Sequence, residues 1–189
     1  MDADYLKTKH ESGLPYEAYI QTGEPHHLDN WTTIYEQQSL TEEQRRLVRS
    51  FRRKMNVIAV SGIWCGDCVQ QGPLVARIAE ANPEFIDLRW LDRDEHIDLQ
   101  KEVRINAGNR VPVLIFCAED YELVNWYGDR SLSRYRAMAE KQLGAACPLP
   151  GAPVAQANLD AELSDWLKTF LRVYLLLRLS GRLRQKHGD

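Results

Sequence analysis

The feature that most constrains the fold of this chain is a pair of cysteines, Cys65 and Cys68, at the junction of two patterned segments. Residues 55–60 are apolar except for Asn56, as in a buried strand, and residues 69–81 have the apolar spacing of a helix. A Cys-x-x-Cys pair at a strand-to-helix turn in a βαβ pattern is typical of redox chemistry. The unpaired N–H groups and positive dipole at a helix N-terminus stabilise a thiolate there and lower its pKa. We therefore predict that Cys65 is the attacking thiol and Cys68 the resolving thiol.

The sequence of this motif, Trp64-Cys65-Gly66-Asp67-Cys68, resembles the active site of the thioredoxin superfamily. It is most similar to a bacterial thioredoxin-like subgroup that also has Asn-Arg-Val-Pro, found here at residues 109–112. Pro73 matches the proline of the family's active-site helix, and Gly128 matches its late glycine. The resemblance covers residues 55–143. It implies an α/β protein with the thioredoxin-like fold, in which helices flank a central mixed β-sheet.

The resemblance also implies a site and a reaction. Cys65 would attack a substrate disulfide, and Cys68 would resolve the mixed disulfide that forms. The other residues that it implicates are the active-site supports Trp64, Gly66, Asp67 and Pro73, and the substrate-binding residues Arg110, Val111 and Pro112, with a cis peptide bond at Pro112. It implies no cofactor beyond the redox-active disulfide. The implied partners are protein or low-molecular-weight disulfides and a recycling reductase.

Two positions depart from thioredoxin itself. Asp67 replaces a proline, and Ala59 stands where thioredoxin has a buried carboxylate that is proposed to accept the proton of the resolving cysteine. A carboxylate at Asp67 should raise the pKa of nearby thiols through like-charge repulsion. It could also take the proton of Cys68, which is a hypothesis. Arg110 is expected to add positive potential that favours the Cys65 thiolate.

We divide the chain into three parts: an N-terminal arm and helix over residues 1–54, the thioredoxin-like core over 55–143, and a linker with a C-terminal helix over 144–189. The core has the order βαβαββα and lacks an obvious first edge strand, for which residues 32–35 are a candidate. Thr41 and Gln44 form a capping-box pattern that starts a basic amphipathic helix. We interpret its arginine-rich face as a solvated helix face rather than a site for an anionic partner.

The predicted C-terminal helix, residues 159–179, is apolar over more than one stripe. Three interpretations follow: the helix packs on its own core, forms a homodimer seam, or lies on a membrane surface. Core packing is the default for such a face.

Composition excludes several other classes of protein. The net charge of −3 and the lack of a basic stripe with interleaved aromatic residues argue against nucleic-acid binding. The acidic N-terminus does not resemble a secretory signal, and no segment is apolar enough to span a bilayer. Two cysteines outside the motif, Cys117 and Cys147, do not make a second pair, so we predict neither a structural disulfide framework nor a zinc site. A cytoplasmic location follows as the expectation.

Two further groups of residues could suggest a functional site, but we expect neither to form one. The adjacent His26 and His27 are expected to be solvated rather than metal ligands, and Cys117 is expected to be a small buried hydrophobic residue. Two function classes remain open for the whole chain. One is a thiol–disulfide oxidoreductase with sustained turnover, and the alternative is a redox-sensing or partner-binding module on the same fold.

Overall fold

A computed structural model of the chain describes residues 1–143 and 156–189. Helices and strands alternate through the middle of the chain, whereas both ends are helical. In order, the elements are α1 (Ala3–Ser12), α2 (Tyr16–Ile20), α3 (Pro25–Gln37), α4 (Glu42–Arg49), β1 (Met55–Ser61), α5 (Gly66–Glu80), β2 (Ile86–Asp92), α6 (Ile97–Glu102), β3 (Val113–Cys117), β4 (Leu123–Gly128), α7 (Leu132–Leu143), α8 (Gln156–Leu179) and α9 (Gly181–His187).

The strands form a mixed sheet in the order β2-β1-β3-β4. β1 pairs in parallel with β2, and β3 is antiparallel to both β1 and β4. Every residue of β1 is buried, as expected for a strand covered on both faces. The tight β3–β4 connection includes Tyr121 in the left-handed region at φ 63°. The mixed sheet flanked by helices confirms the predicted α/β class and thioredoxin-like architecture.

The N-terminal segment is helical, and the prediction of an edge strand at residues 32–35 is wrong. These residues lie within α3, which starts with Pro25 at its first turn and buries Trp31 and Ile34 on one face. A proline at the first turn and apolar residues three apart favour a helix over a strand. The capping box of α4 forms as predicted, with Gln44 N–H donating to Thr41 Oγ1 at 3.2 Å.

The basic face near α4 is only partly solvated. Val48 and Phe51 are fully buried against the core, whereas Arg49 and Arg52 remain exposed. Arg53 is buried and pairs with Asp189 at the C-terminal end of the chain. One arginine of the cluster therefore ties the segment between α4 and β1 to the residue that follows α9 and its cap.

The C-terminal helix α8 packs on the core of its own chain. Trp166 meets Tyr127 edge-to-face with ring centroids 5.3 Å apart, and Phe170 meets Phe116 in the same way at 5.1 Å. The helix starts three residues earlier than predicted, and the short helix α9 after it was not predicted. Cys147 and most of the predicted linker lie outside the described residues. Within the described part of the chain, no helix combines the length and apolar character needed to cross a membrane.

Candidate redox site at the start of α5

The two cysteines of the motif occupy the first turn of α5. The chain leaves β1 at Ser61 and turns at Gly62, whose carbonyl accepts a hydrogen bond from Cys65 N–H at 2.9 Å. Cys65 is the N-cap of α5 and is half-buried, whereas Cys68 is completely buried. Gly62 N–H points at Cys68 Sγ, 3.5 Å away. Both thiols are free, and only the first is accessible to a substrate.

The two thiols differ sharply in acidity. The Cys68 side chain interacts with the Cys65 sulfur by hydrogen bonding and is the main reason why the pKa of Cys65 falls to about 6. Burial opposes this shift, while the backbone N–H groups of Cys68 and Asp67 support it. Burial raises the pKa of Cys68 well above its usual value, and the neighbouring Cys65 raises it further. This combination leaves Cys65 as a thiolate at neutral pH and Cys68 as a protonated thiol.

A proline loop faces the first cysteine. The Val111–Pro112 peptide bond is cis, and the Val111 carbonyl oxygen lies 4.0 Å from Cys65 Sγ. Gln100 Nε2 donates to the Arg110 carbonyl at 3.1 Å and fixes the loop from α6. From β4, Gly128 packs so closely that an added Cβ would be 2.4 Å from the Pro112 carbonyl oxygen. These contacts explain why the proline and the late glycine occur together.

The remaining residues of the motif lie around the thiols. Trp64 is 53% exposed at the rim, with the guanidinium of Arg93 5.6 Å from its ring. Gly66 has open space where a side chain would be, so no contact there requires glycine. Pro73 is buried inside α5. The adjacent Gly72 lets the Trp31 ring approach within 2.3 Å of where a Cβ would be.

The Asp67 carboxylate is held by arginines from the segment after β4. One oxygen pairs with Arg130 at 2.5 Å and the other with Arg134 at 3.3 Å. Hydrogen bonding from Cys68 has the largest effect on the pKa of Cys65, followed by burial and by the backbone N–H groups. The charge of Asp67 has a smaller effect and raises this pKa, in the direction predicted. Arg110 pairs with the buried Asp129 at 3.2 Å. Its predicted effect on the Cys65 thiolate stays a prediction.

The sequence analysis missed the polar network that joins these parts. Gln71 of α5 is fully buried; its Nε2 donates to the Asp129 carbonyl at 3.0 Å, and its Oε1 accepts from Ser131 N–H at 2.9 Å. Asp129 also pairs with Arg130 at 3.5 Å. A signal existed, because two consecutive glutamines within the otherwise apolar segment 68–76 of a helix require buried partners. Nothing local indicated what those partners would be.

The other candidate residues lie apart from this site. Cys117 is buried in β3, and burial raises its pKa to about 12, which confirms its prediction as a small buried hydrophobic residue. His27 Nδ1 accepts from Glu24 N–H at 3.2 Å and caps α3. Across residues 1–143 and 156–189, no three His, Cys, Asp or Glu side chains gather as a metal site would require.

Comparisons with known proteins agree with this fold. The chain is similar in structure to a Pseudomonas aeruginosa protein of unknown function, with a TM-score of 0.69, 12% identity, and coverage of 94% of this chain and 98% of that one. An HIV epitope-scaffold matches with a TM-score of 0.64 and 13% identity over 96% of this chain and all of that one. No curated protein sequence matches the chain.

The family profile described as thioredoxin matches residues 13–142. This match begins within the N-terminal helical segment, well before β1, and ends within α7. It therefore includes the helices that carry Tyr19 and Trp31, as well as the thiol pair and the proline loop. Because more than half of the sequence is matched and the described architecture agrees, the chain belongs to the thioredoxin family.

Proposed function

We propose that this protein is a dithiol thiol–disulfide oxidoreductase. The observation that carries the proposal is the asymmetry of the pair: a half-exposed Cys65 with a pKa of about 6 above a buried, protonated Cys68. A thiolate is the nucleophile in disulfide exchange, and a pKa near ambient pH favours the attacking thiol. A thioredoxin-family chain with this asymmetry is suited to reducing disulfides.

In the proposed reaction, the Cys65 thiolate attacks one sulfur of a substrate disulfide. A Cys65–substrate disulfide forms, and the other substrate sulfur leaves as a thiolate. Cys68 loses its proton and attacks Cys65, which forms the Cys65–Cys68 disulfide and releases the second substrate sulfur. The substrate gains two electrons, and a recycling reductase that donates two electrons would restore the dithiol.

We assign supporting roles to the residues around the thiols. Trp64 offers an exposed apolar surface to a substrate, and Val111 and Pro112 would present backbone beside its sulfur. Arg110 would supply positive potential at the same rim. Gly66 and Pro73 would shape the first turns of α5. We expect protein disulfides to bind at this surface, and small disulfides would also fit because the rim around Cys65 is open.

The role of Asp67 as proton acceptor for Cys68 is a separate hypothesis. Its two carboxylate oxygens are each paired with an arginine, Arg130 and Arg134. Asp67→Asn tests the hypothesis directly. If the resolving step and its pH profile are unchanged in this variant, Asp67 is not the acceptor.

Several finer predictions stand beside the main proposal. We propose a cytoplasmic location and membership of the bacterial subgroup with the Trp-Cys-Gly-Asp-Cys motif.

A homodimer through α8 would use its exposed leucines, Leu175, Leu176 and Leu179. Sedimentation of the wild type and of a variant with these residues changed to Ser tests that dimer. The three-part division at residues 54 and 143 also remains our proposal.

The decisive experiment is the redox equilibrium of the Cys65–Cys68 pair in defined thiol/disulfide buffers, read by mass. A reversible two-electron transition near the thioredoxin potential, about −270 mV, is the expected result. Absence of a Cys65–Cys68 disulfide across the whole range would overturn the proposal. Turnover with a disulfide substrate and a reductant then separates an enzyme from the alternative, a redox sensor that reacts once and stalls.

A further inference from the structure

Two arginines contact the thiol motif without forming a bond in the proposed reaction. Arg130 follows β4, and Arg134 lies in the first turn of α7. Both pair with Asp67, which lies between Gly66 and Cys68 in the first turn of α5. These ion pairs therefore join the active-site helix to a segment that is distant from it in the sequence.

The Asp67 carboxylate is held at both of its oxygens. Arg130 Nη2 lies 2.5 Å from Oδ2, and Nη2 and Nε of Arg134 lie 3.3 Å and 3.4 Å from Oδ1. The side chain of Asp67 is 16% exposed, and those of Arg130 and Arg134 are 21% and 27% exposed. Salt screens partly buried pairs less than exposed ones, so these contacts fix the carboxylate and offset its charge.

A second carboxylate holds one of these arginines from behind. Arg130 Nη1 lies 3.5 Å from the buried Asp129, and hydrogen bonding to Asp67 is the main reason why the pKa of Arg130 is raised. Asp129 also pairs with Arg110 of the proline loop at 3.2 Å and accepts a hydrogen bond from the hydroxyl of Tyr135. Charges of alternating sign therefore run from α5 to the proline loop through Asp67, Arg130, Asp129 and Arg110.

The place of Asp67 in the helix makes its charge relevant to the attacking thiol. Cys65 is the N-cap of α5, and Asp67 follows two residues later in the same turn. Charges this close interact within the Debye length, which is about 10 Å at 0.1 M salt. A carboxylate opposes ionisation of a neighbouring thiol, and the charge of Asp67 has this sign at Cys65. An arginine on each oxygen of Asp67 reduces that repulsion.

We infer that Arg130 and Arg134 are positioning residues, which hold and neutralise Asp67 so that Cys65 reacts as a thiolate. This inference rests on the proposed function, and it gives a task to two residues that form no bond in that reaction. The arginines act through Asp67, because their guanidinium groups are fixed on its oxygens. Loss of either arginine frees one side of the carboxylate and makes Cys65 a weaker acid.

The other charged groups around the cluster do not imitate this effect. Arg110 pairs with Asp129 and is retained in every variant below. Glu162 of α8 is buried, and its pKa is lowered by Arg134 and raised by Asp67. Loss of Arg134 would leave Glu162 less charged. A smaller negative charge on Glu162 would favour the Cys65 thiolate, which is opposite to the effect expected from freeing Asp67.

The test measures the reactivity of Cys65 as a function of pH, in a Cys147→Ser background. Dithiodipyridine in excess releases one coloured pyridinethiol when Cys65 attacks it and a second when Cys68 resolves the mixed disulfide. This disulfide is uncharged, so the arginines do not attract it. Because the thiolate is the attacking species, the rate of the first release follows the ionised fraction of Cys65.

Arg134→Gln and Arg130→Gln should each slow the first release near pH 5 by roughly three- to ten-fold, because the thiol has a raised pKa. Near pH 9, where Cys65 is ionised in every variant, the release should be no slower than in the wild type, since a less acidic thiol gives a more nucleophilic thiolate. Asp67→Asn should instead speed the release at the lower pH. Arg134→Lys keeps the charge and should stay closer to the wild type than Arg134→Gln.

Arg136→Gln is the matched control. Arg136 is exposed on the same helix, two residues after Arg134, and residues at this spacing do not share a face. This variant should follow the wild type at both pH values. In an Asp67→Asn background, adding Arg134→Gln should change the first release at the lower pH by less than about two-fold, since no carboxylate remains to be neutralised. Arg134→Gln carries the test if Arg130→Gln does not fold.

Several outcomes would contradict the inference. If Arg134→Gln keeps the wild-type rate at the lower pH, slows the release equally at both pH values, or has the same effect with and without Asp67, the arginines do not act through this carboxylate. The oxidoreductase proposal stands in each of these cases. If the wild type itself reacts at the lower pH as slowly as an ordinary thiol, Cys65 is not acidic, and both proposals fail.

Discussion

At the scale of single residues, the environments of Cys65 and Cys68 make two identical side chains chemically different. Cys65 caps a helix and has the Cys68 side chain and backbone N–H groups beside its sulfur. Cys68, one turn further on, has no exposed surface. The difference in acidity belongs to the pair, because each thiol contributes to the shift of the other.

Replacing the second cysteine should therefore change the acidity of the first. In a Cys147→Ser background, Cys68→Ala is expected to raise the pKa of Cys65 from about 6 toward the usual value for a thiol, because the largest stabilising contact of the thiolate is lost. Ultraviolet absorbance of the thiolate against pH measures this shift. Cys117→Ala is the control and should leave the titration unchanged, since that thiol is buried in β3. An unshifted Cys65 in Cys68→Ala would contradict the assignment.

Gly128 provides a second prediction at this scale. Gly128→Ala should destabilise the fold by about 1–3 kcal/mol, because its Cβ would lie 2.4 Å from the Pro112 carbonyl oxygen and push the proline loop. It should also slow the reaction of Cys65 with a disulfide. Urea unfolding and the rate of the first thiol release measure the two effects. Gly181→Ala, where a Cβ meets open space, should change stability by about 0.5 kcal/mol or less. Equal stability of both variants would refute this account.

At the scale of elements, the site depends on how α8 packs against the active-site helix α5. Glu162 of α8 is 1% exposed and accepts a hydrogen bond from Gln70 of α5. Its second carboxylate oxygen has no partner among the described residues. Burial raises the pKa of Glu162 to about 7, while Arg134 and Gln70 lower it, and Asp67 and Asp165 raise it. Ionisation of Glu162 therefore destabilises the folded state.

This placement makes stability depend on pH in a defined direction. The unfolded chain releases the Glu162 proton near the ordinary value of 4.5, and the folded chain releases it near 7. Between these values the folded state binds more protons, so stability falls as pH rises. Glu162→Gln removes that cost and keeps an acceptor for Gln70. The variant should exceed the wild type in stability by about 1–3 kcal/mol above neutral pH, and match it near pH 4.

Urea unfolding at several pH values measures this difference. Glu84→Gln, a substitution of the same kind at an exposed position before β2, serves as the matched control and should follow the wild type throughout. A stability gain for Glu162→Gln that is the same at every pH would mean that charge burial is not the cause.

At the scale of the whole molecule, helices from both ends of the chain complete the site and the core. Trp31 of α3 donates through Nε1 to the Ile63 carbonyl at 2.9 Å, directly before the thiol motif. From the other end, α8 covers β3 and β4 with Trp166 and Phe170. The terminal segments are thus part of one hydrophobic core with the sheet.

The contribution of α8 can be tested with two substitutions on the same helix. Phe170→Ala should reduce the free energy of unfolding by about 3–5 kcal/mol, because the ring is fully buried against Phe116. Leu179→Ala, at a residue 75% exposed, should change it by about 0.5 kcal/mol or less. Chemical denaturation measures both. If Phe170→Ala cost no more than Leu179→Ala, α8 would not be part of the cooperative core.

Much of the local structure was predictable from the sequence. The strand before Cys65, the helix after it, the capping box at Thr41 and the β3–β4 hairpin all depend on residues close together in the chain. The thiol pair was predictable for the same reason, since two intervening residues place both sulfurs on one helical turn. The strand expected at residues 32–35 failed, because a short apolar segment is compatible with either a strand or a helix until its neighbours are known.

Tertiary structure decided which distant side chains surround the thiols. Asp67 meets Arg130 from the segment after β4, and Gln70 of α5 meets Glu162 of α8. The spacing of residues in the sequence does not predict these contacts. Each contact joins residues that are far apart in the chain and come together only when the helices pack on the sheet. The sequence by itself determined which two cysteines form the candidate pair, since their proximity depends on a local turn. The packed fold decided the acidity of each thiol, since burial and the groups that packing places around a thiol control its pKa.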